Sequence, residues 1–169
     1  MALTNRDLAI KWGAYAAASL LLLFLHALTL RQVTLLGVMP FLPPLIVAVI
    51  ASVEDTAPSV IFALAFGVCC DLTIASPLPC LYTLAFPAGA LVSSLLSRRV
   101  LQPGILRSLA VTALCFATVD LLAMLALSLR GGADFPAMLS LALRELLVSC
   151  PGLLLCHPLL MHLHRKYSL

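Results

Sequence analysis

The stretch Val60-Ile-Phe-Ala-Leu-Ala-Phe-Gly-Val-Cys-Cys-Asp71-Leu-Thr73 decides the fold of this chain. Eleven apolar or small residues precede Asp71 without one charge, so in a helix its carboxyl group lies well inside a hydrophobic layer. A charged group at that depth needs a partner, because hydrocarbon cannot solvate it. Gly67 lies one helical turn before Asp71 on the same face and leaves the backbone bare there. We therefore predict that a second helix approaches closely beside this carboxyl group.

The composition points to a membrane protein throughout. Of the 169 residues, 63% are hydrophobic and 10% are charged, whereas a soluble domain has roughly half and a quarter respectively. These proportions predict an integral, multi-pass membrane protein with an all-α fold. At about 20 residues per span, the length allows about six helices and leaves no room for a separate soluble domain. The net charge of +3 is small and spread over termini and loops, so we expect no nucleic-acid binding.

Apolar runs between turn signals predict a single transmembrane domain with six spans. These spans are residues 12–30, 35–52, 58–75, 80–97, 105–129 and 137–163. Pro40, Pro43 and Pro44 interrupt the second span, because proline lacks a backbone donor and clashes with the preceding turn. Two possibilities stay open, a broken crossing or a long outer loop followed by a helix that begins at Pro43. Pro87 should kink the fourth span.

The distribution of basic side chains predicts the orientation. If the first helix enters from the cytoplasm, seven basic residues lie on the inner side: Arg6, Lys11, Arg98, Arg99, Arg107, Arg165 and Lys166. The outer side then holds Arg31 and Arg130, and Arg144 lies within a span. Because cytoplasmic loops carry an excess of lysine and arginine, both termini are predicted to face the cytoplasm.

Three charged residues reach the same predicted depth. Asp71 and Asp120 lie about 20 and about 22 Å from the inner ends of their helices. Arg144, on a helix that runs the other way, lies about 18 Å from the inner surface of the hydrocarbon core. An unpaired charge there costs at least about 2.5 kcal/mol, and one arginine can bind two carboxylates. We therefore predict that Arg144 bridges Asp71 and Asp120, with Glu145 turned to another face.

Such a cluster could hold three helices in one arrangement, or it could bind a proton, an ion or a polar ligand. We favour the structural role, because a cluster that neutralises itself needs no ligand. The sequence contains no G-x-S-x-G, no H-E-x-x-H and no glycine-rich phosphate loop, so we expect no catalytic residues and no enzyme activity.

Histidines and cysteines offer the remaining candidates for chemistry. His157, His162 and His164 could in principle hold a metal, but a cationic helix end attracted to anionic lipid is the simpler interpretation. The six cysteines form no C-x-x-C pair and are expected to be small core residues, with the exception of Cys80 in a predicted outer loop. We therefore expect no metal and no cofactor.

Four features follow one another between residues 35 and 100. They are Pro40-Phe-Leu-Pro-Pro-Leu-Ile-Val47 with a short polar turn after it, Phe66-Gly-Val-Cys-Cys-Asp-Leu72, Ser76-Pro-Leu78, and an alanine- and glycine-rich helix that ends in arginines. In this order they resemble MreD, a family of small multi-pass rod-shape-determining proteins of bacteria. That family often has glycine after the Pro-Leu pair, where this chain has Pro79-Cys80.

The resemblance implies a non-catalytic scaffold of the lateral cell-wall elongation complex, which makes peptidoglycan and determines cell shape, in the bacterial cytoplasmic membrane. The implied partners are MreC, RodA, a class-B penicillin-binding transpeptidase and MreB, together with membrane lipid. The implied fold is a six-helix bundle similar to the substrate-binding subunits of energy-coupling-factor transporters. Pro43, Pro44, Gly67, Pro87 and the charged residues above are then candidates for structural or partner-binding roles.

The alternative is that the chain is itself a substrate-binding subunit of such a vitamin transporter. Ala14-x-x-x-Ala18 in the first helix resembles the small-residue motif with which those subunits dock to their transport partner. Against this alternative, the chain has one tryptophan, at the predicted cytoplasmic rim. It also has few aromatic or amide side chains at membrane depth to bind a ligand.

Overall fold

The computed structural model describes residues 5–28, 34–74, 78–100, 105–129, 131 and 134–167. Within these ranges every regular element is helical, which confirms the predicted all-α fold. The helices are α1 (Asn5–Leu28), α2 (Pro43–Val53), α3 (Thr56–Thr73), α4 (Leu81–Val100), α5 (Ile105–Leu129), α6 (Phe135–Ser149) and α7 (Leu153–Tyr167), with a 3₁₀ turn at Cys150–Gly152 between the last two.

Four helical stretches are long and apolar enough to cross a membrane, and they are Arg6–Leu28, Thr56–Thr73, Arg107–Leu129 and Phe135–Tyr167. The last of these comprises α6, the 3₁₀ turn and α7. The 3₁₀ turn contains Pro151, which cannot donate to a regular helix. Two further apolar helices, α2 and the Leu81–Leu95 part of α4, are shorter. The architecture is that of a helical, multi-pass membrane protein.

Helix α2 lies at the centre of the bundle. It contacts α3, α4, α5 and α7, and every residue from Pro43 to Ala51 is buried. Its 11 residues extend about 16 Å, roughly half of a 30 Å hydrocarbon core. Within the predicted span 35–52 the helix begins at Pro43 and residues 35–42 are not helical, so the segment is not one regular helix, as the prolines predicted. Pro43 and Pro44 suit this position, because backbone N–H groups in the first turn of a helix have no acceptor within the helix. The N–H that proline lacks is therefore not missed there.

The chain enters α2 through an irregular segment in which several backbone groups form hydrogen bonds within the protein. Leu35 and Val38 exchange two backbone hydrogen bonds of 2.9 and 3.0 Å around Leu36 and Gly37, both of which have positive φ. Further along, the backbone N–H of Phe41 donates to Ser149 Oγ at 2.8 Å. These bonds satisfy backbone groups that have no helical partner in this segment.

The close approach predicted at Gly67 is confirmed. A Cβ atom there would lie 2.5 Å from the Tyr82 carbonyl oxygen and 2.9 Å from Thr83 Cα, so only glycine lets α3 and α4 meet at this distance. A second contact of the same kind joins α4 to α5, where a Cβ at Gly89 would lie 2.7 Å from Thr118 Oγ1. Helix α4 is continuous through Pro87.

Two polar regions lie at opposite ends of the bundle. We call the end where α1 begins and α2 and α7 finish the Glu54 end, and the end where α3 leads into α4 the Asp71 end. Between them runs a series of aromatic rings with centroids 5.4 to 6.1 Å apart, namely Trp12, Phe62, Phe66, Phe86 and Tyr82. Outside the described part of the chain lie Ser76 of the Ser76-Pro-Leu78 feature, the loop residues Arg31 and Arg130, and the side chains of Arg98 and Arg99.

Candidate functional site

The Asp71 carboxylate caps the amino-terminal end of helix α4. It accepts hydrogen bonds from the backbone N–H of Tyr82 at 3.1 Å, from that of Thr83 at 2.8 Å and from Thr83 Oγ1 at 2.6 Å. The first N–H groups of a helix have no partner within the helix and carry a partial positive charge. Gly67 and Asp71, one turn apart, thus dock α3 onto the start of α4.

The predicted Arg144 bridge is wrong. Asp71 finds all its hydrogen bonds on α4, and Arg144 is exposed. Its neighbour Glu145 instead faces inward and lines a cavity together with Asp120. Successive residues on a helix point about 100° apart, so equal depth did not determine which side chain faces the bundle. The helix end supplied the positive partner that the prediction assigned to an arginine.

Two adjoining cavities lie at the Asp71 end, with volumes of about 390 and about 250 Å³. Phe41, Tyr82, Leu141 and Glu145 line both of them, which places these residues at the boundary. The larger cavity is also lined by His26, and the smaller one by Asp120. The remaining lining is mostly apolar. Among the described residues, Asp120 and Glu145 form no ion pair.

A second polar cluster, the Glu54 cluster, joins three helices at the other end. Lys11 Nζ donates to Glu54 Oε2 at 2.8 Å, and the Tyr15 hydroxyl donates to Oε1 at 2.9 Å. His164 Nδ1 lies 2.7 Å from Oε1 and 3.2 Å from the Tyr15 hydroxyl. The side chains of Glu54 and Lys11 are 8% and 9% exposed. This cluster therefore fastens α1 and α7 to the end of α2.

The contacts of Glu54 determine its charge state. Burial raises the pKa of Glu54, but the hydrogen bonds from Lys11, His164 and Tyr15, with the charge of Lys11, outweigh burial and hold that pKa below its ordinary value of 4.5. Glu54 is therefore a carboxylate at neutral pH. The cluster can act as a structural ion pair.

The remaining candidates offer little chemistry. His164 belongs to the Glu54 cluster, whereas His162 is exposed, and no group of three metal-ligating side chains occurs among the described residues. Cys70, Cys115 and Cys156 are fully buried, as expected of small core residues. Cys80 is exposed and has a φ of 60°.

The Glu54 cluster was missed at the level of sequence because its members are far apart in the chain. One signal existed: Lys11 and Tyr15 are four residues apart and share one face of the first helix. Glu54 was interpreted as part of a polar turn, and His164 as part of a lipid-facing helix end. Neither interpretation provided for a contact between the two side chains.

Together these features define an all-helical membrane protein with a buried central helix of half length, a capped helix junction and two polar ends. The chain matches no family model, no curated protein and no solved structure. Its function is therefore argued below from its own residues and from the sequence resemblance.

Proposed function

We propose that this protein is a non-catalytic scaffold of the bacterial cell-wall elongation complex, related to MreD, which binds MreC and regulates cell shape. Its further partners in this proposal are RodA, a class-B penicillin-binding transpeptidase and MreB. It lies in the cytoplasmic membrane with both termini inside, in a bundle similar to the substrate-binding subunits of energy-coupling-factor transporters.

One observation carries the proposal: the residues of the MreD-like pattern serve helix docking. Pro43 begins the buried helix α2, Gly67 admits the backbone of α4, and Asp71 caps α4. All three hydrogen bonds to the Asp71 carboxylate come from α4, so this acid is engaged in holding the bundle together. A pattern made of packing residues suits a scaffold better than an enzyme.

A scaffold also needs a helix face for its partners. On α3, an exposed apolar stripe consists of Ile61, Leu64, Val68 and Leu72, spaced three or four residues apart. The α3 face, defined by these four residues, is apolar and uncharged and suits a partner transmembrane helix. In this proposal it is a binding surface for the complex.

The test is a pull-down of the tagged protein from its native host in mild detergent, with bound proteins identified by mass spectrometry. The proposal predicts recovery of an MreC homologue and of the RodA–transpeptidase pair. Recovery of paired ATPases with a transmembrane coupling subunit would overturn it in favour of the transporter alternative.

Matched variants make this test specific to the α3 face. Replacement of Ile61, Leu64 and Val68 by alanine should reduce recovery of the partners several-fold. The control replaces Leu139, Leu143 and Leu147 by alanine, which form an exposed apolar stripe on α6. Equal recovery from both triple variants, at equal protein yield, would remove the α3 face from the proposal.

A further inference from the structure

Two acids and one histidine, His26, line the two cavities at the Asp71 end. Glu145 lines both cavities and Asp120 lines the smaller one, while no lysine or arginine among the described residues lines either. Arg144 is next to Glu145 in sequence but exposed. Carboxylates within a membrane-spanning helix are costly unless a positive charge accompanies them.

Tyr82 offers a hydroxyl group to a ligand in these cavities. It is 8% exposed, lines both cavities, and its hydroxyl makes no hydrogen bond within the described part of the chain. Its backbone N–H is the group that donates to Asp71, so the ring is held in place while the hydroxyl has no partner. The hydroxyl oxygen itself is accessible from the cavities, so it is available to a ligand there.

The aromatic lining indicates what kind of charge would fit. Phe41 packs against Tyr82 with ring centroids 5.5 Å apart and against Phe116 at 6.5 Å. Aromatic faces attract ammonium and guanidinium groups, most strongly where water is excluded. The volumes of about 390 and about 250 Å³ together lie within the range of small-molecule sites.

We propose that these cavities form one binding site for a small organic cation, an amine or guanidine with an apolar body. The cationic head donates to the carboxylates of Glu145 and Asp120 and to the Tyr82 hydroxyl oxygen. The apolar body lies against Phe41 and Leu141. A bare metal ion fits less well, because hard cations require about six oxygen ligands and this lining is mostly apolar. An anion is disfavoured by the two acids.

The experiment uses the full chain in lipid nanodiscs and 4-fluorobenzylammonium as the probe, observed by fluorine NMR. The neutral control is 4-fluorobenzyl alcohol, which has the same body without the charge. We expect saturable broadening of the ammonium signal that unlabelled benzylammonium reverses, and no saturable effect on the alcohol. Equal behaviour of the two compounds, or no saturable binding of the cation, would overturn the proposal.

Variants test the assignment of residues. Glu145→Gln should weaken binding of the probe at least tenfold, and Tyr82→Phe several-fold. Arg144→Gln, which removes a charge outside the cavities, should leave binding unchanged. If Glu145→Gln does not fold, as judged by size-exclusion chromatography, Asp120→Asn and Tyr82→Phe decide the matter. Unchanged affinity in both of these would exclude this site.

Discussion

At the residue scale, Asp71 supplies from a neighbouring helix the cap that α4 lacks in its own sequence. The residue before α4 is Cys80, whose thiol is a poor acceptor for the first N–H groups of a helix. Asp71 accepts from two of those groups and from the Thr83 hydroxyl. A carboxylate also complements the positive end of the helix dipole. One side chain therefore satisfies α4 and ties it to α3.

We expect Asp71→Ala to lower the free energy of unfolding by about 1 to 2 kcal/mol, the range for loss of a helix cap. Asp71→Asn should be milder, because its amide oxygen still accepts from a backbone N–H. The measurement is thermal unfolding in detergent, with Arg144→Gln as the control, expected to match the parent protein. If Arg144→Gln were as destabilising as Asp71→Ala, the bridge that the structure lacks would have to exist.

Cys80 lies in a conformation that suits glycine. Its φ of 60° is in the left-handed region, which costs a residue with a Cβ atom roughly 1 to 2 kcal/mol. Because Cys80 is exposed, Cys80→Gly should relieve this strain without loss of packing and raise the melting temperature. Cys80→Ala keeps the Cβ and should give no gain. An equal rise in both variants would mean that removal of the thiol, and not the backbone conformation, was responsible.

At the scale of elements, Gly67 lets α3 and α4 approach each other closely. Gly67→Ala would place a methyl group 2.5 Å from the Tyr82 carbonyl oxygen, and backbone atoms cannot yield as a flexible side chain can. We expect a loss of about 1 to 3 kcal/mol, as for overpacking of a core. The readout is the melting temperature together with the yield of folded protein.

The matched control for Gly67→Ala is Gly13→Ala in α1. A Cβ at Gly13 meets nothing within 4 Å, so this substitution should stabilise the helix by about 0.5 to 1 kcal/mol. Opposite signs for the two substitutions would support helix contact as the cause. A loss of stability in both would point instead to a general intolerance of the bundle to alanine at glycine positions.

At the scale of the whole molecule, the Glu54 cluster closes the bundle by joining its first and last helices to α2. The Glu54 carboxylate contributes fully to folding stability above its ordinary pKa of 4.5, because the pKa of Glu54 in the folded protein lies lower. Stability should therefore fall as the pH drops below 4.5 and through the folded value. The measurement is the melting temperature of the parent protein between pH 7 and pH 3.

Glu54→Gln is the comparison for that pH series. It should be less stable than the parent at pH 7, because Lys11 is left buried without its anion, a change worth about 3 to 5 kcal/mol. The gap between the two proteins should narrow as the pH falls, since the parent loses its carboxylate charge. A gap that stays constant down to pH 3 would show that another group causes the acid sensitivity.

Local patterns predicted the helices and the contact at Gly67, and they offered Pro43 as one possible start of α2, because hydropathy, proline and glycine act over one or two turns. Local patterns did not predict which side of α6 faces the bundle. Arg144 and Glu145 are adjacent, and only packing decides which of them points inward. Nor was the Glu54 cluster, because residues 11, 54 and 164 are brought together by the whole fold. Sequence order carries no information about such long-range partners.

The aromatic series starts at Trp12, whose ring lies 5.5 Å from Tyr15 and 6.1 Å from Phe62 between centroids. Since the chain contains one tryptophan, its ultraviolet emission comes from a single place, beside the residues that hold α1 to α2 and α7. Separation of α1 from the bundle would change the surroundings of that one emitter. The protein thus contains an intrinsic optical reporter of whether its first helix is attached.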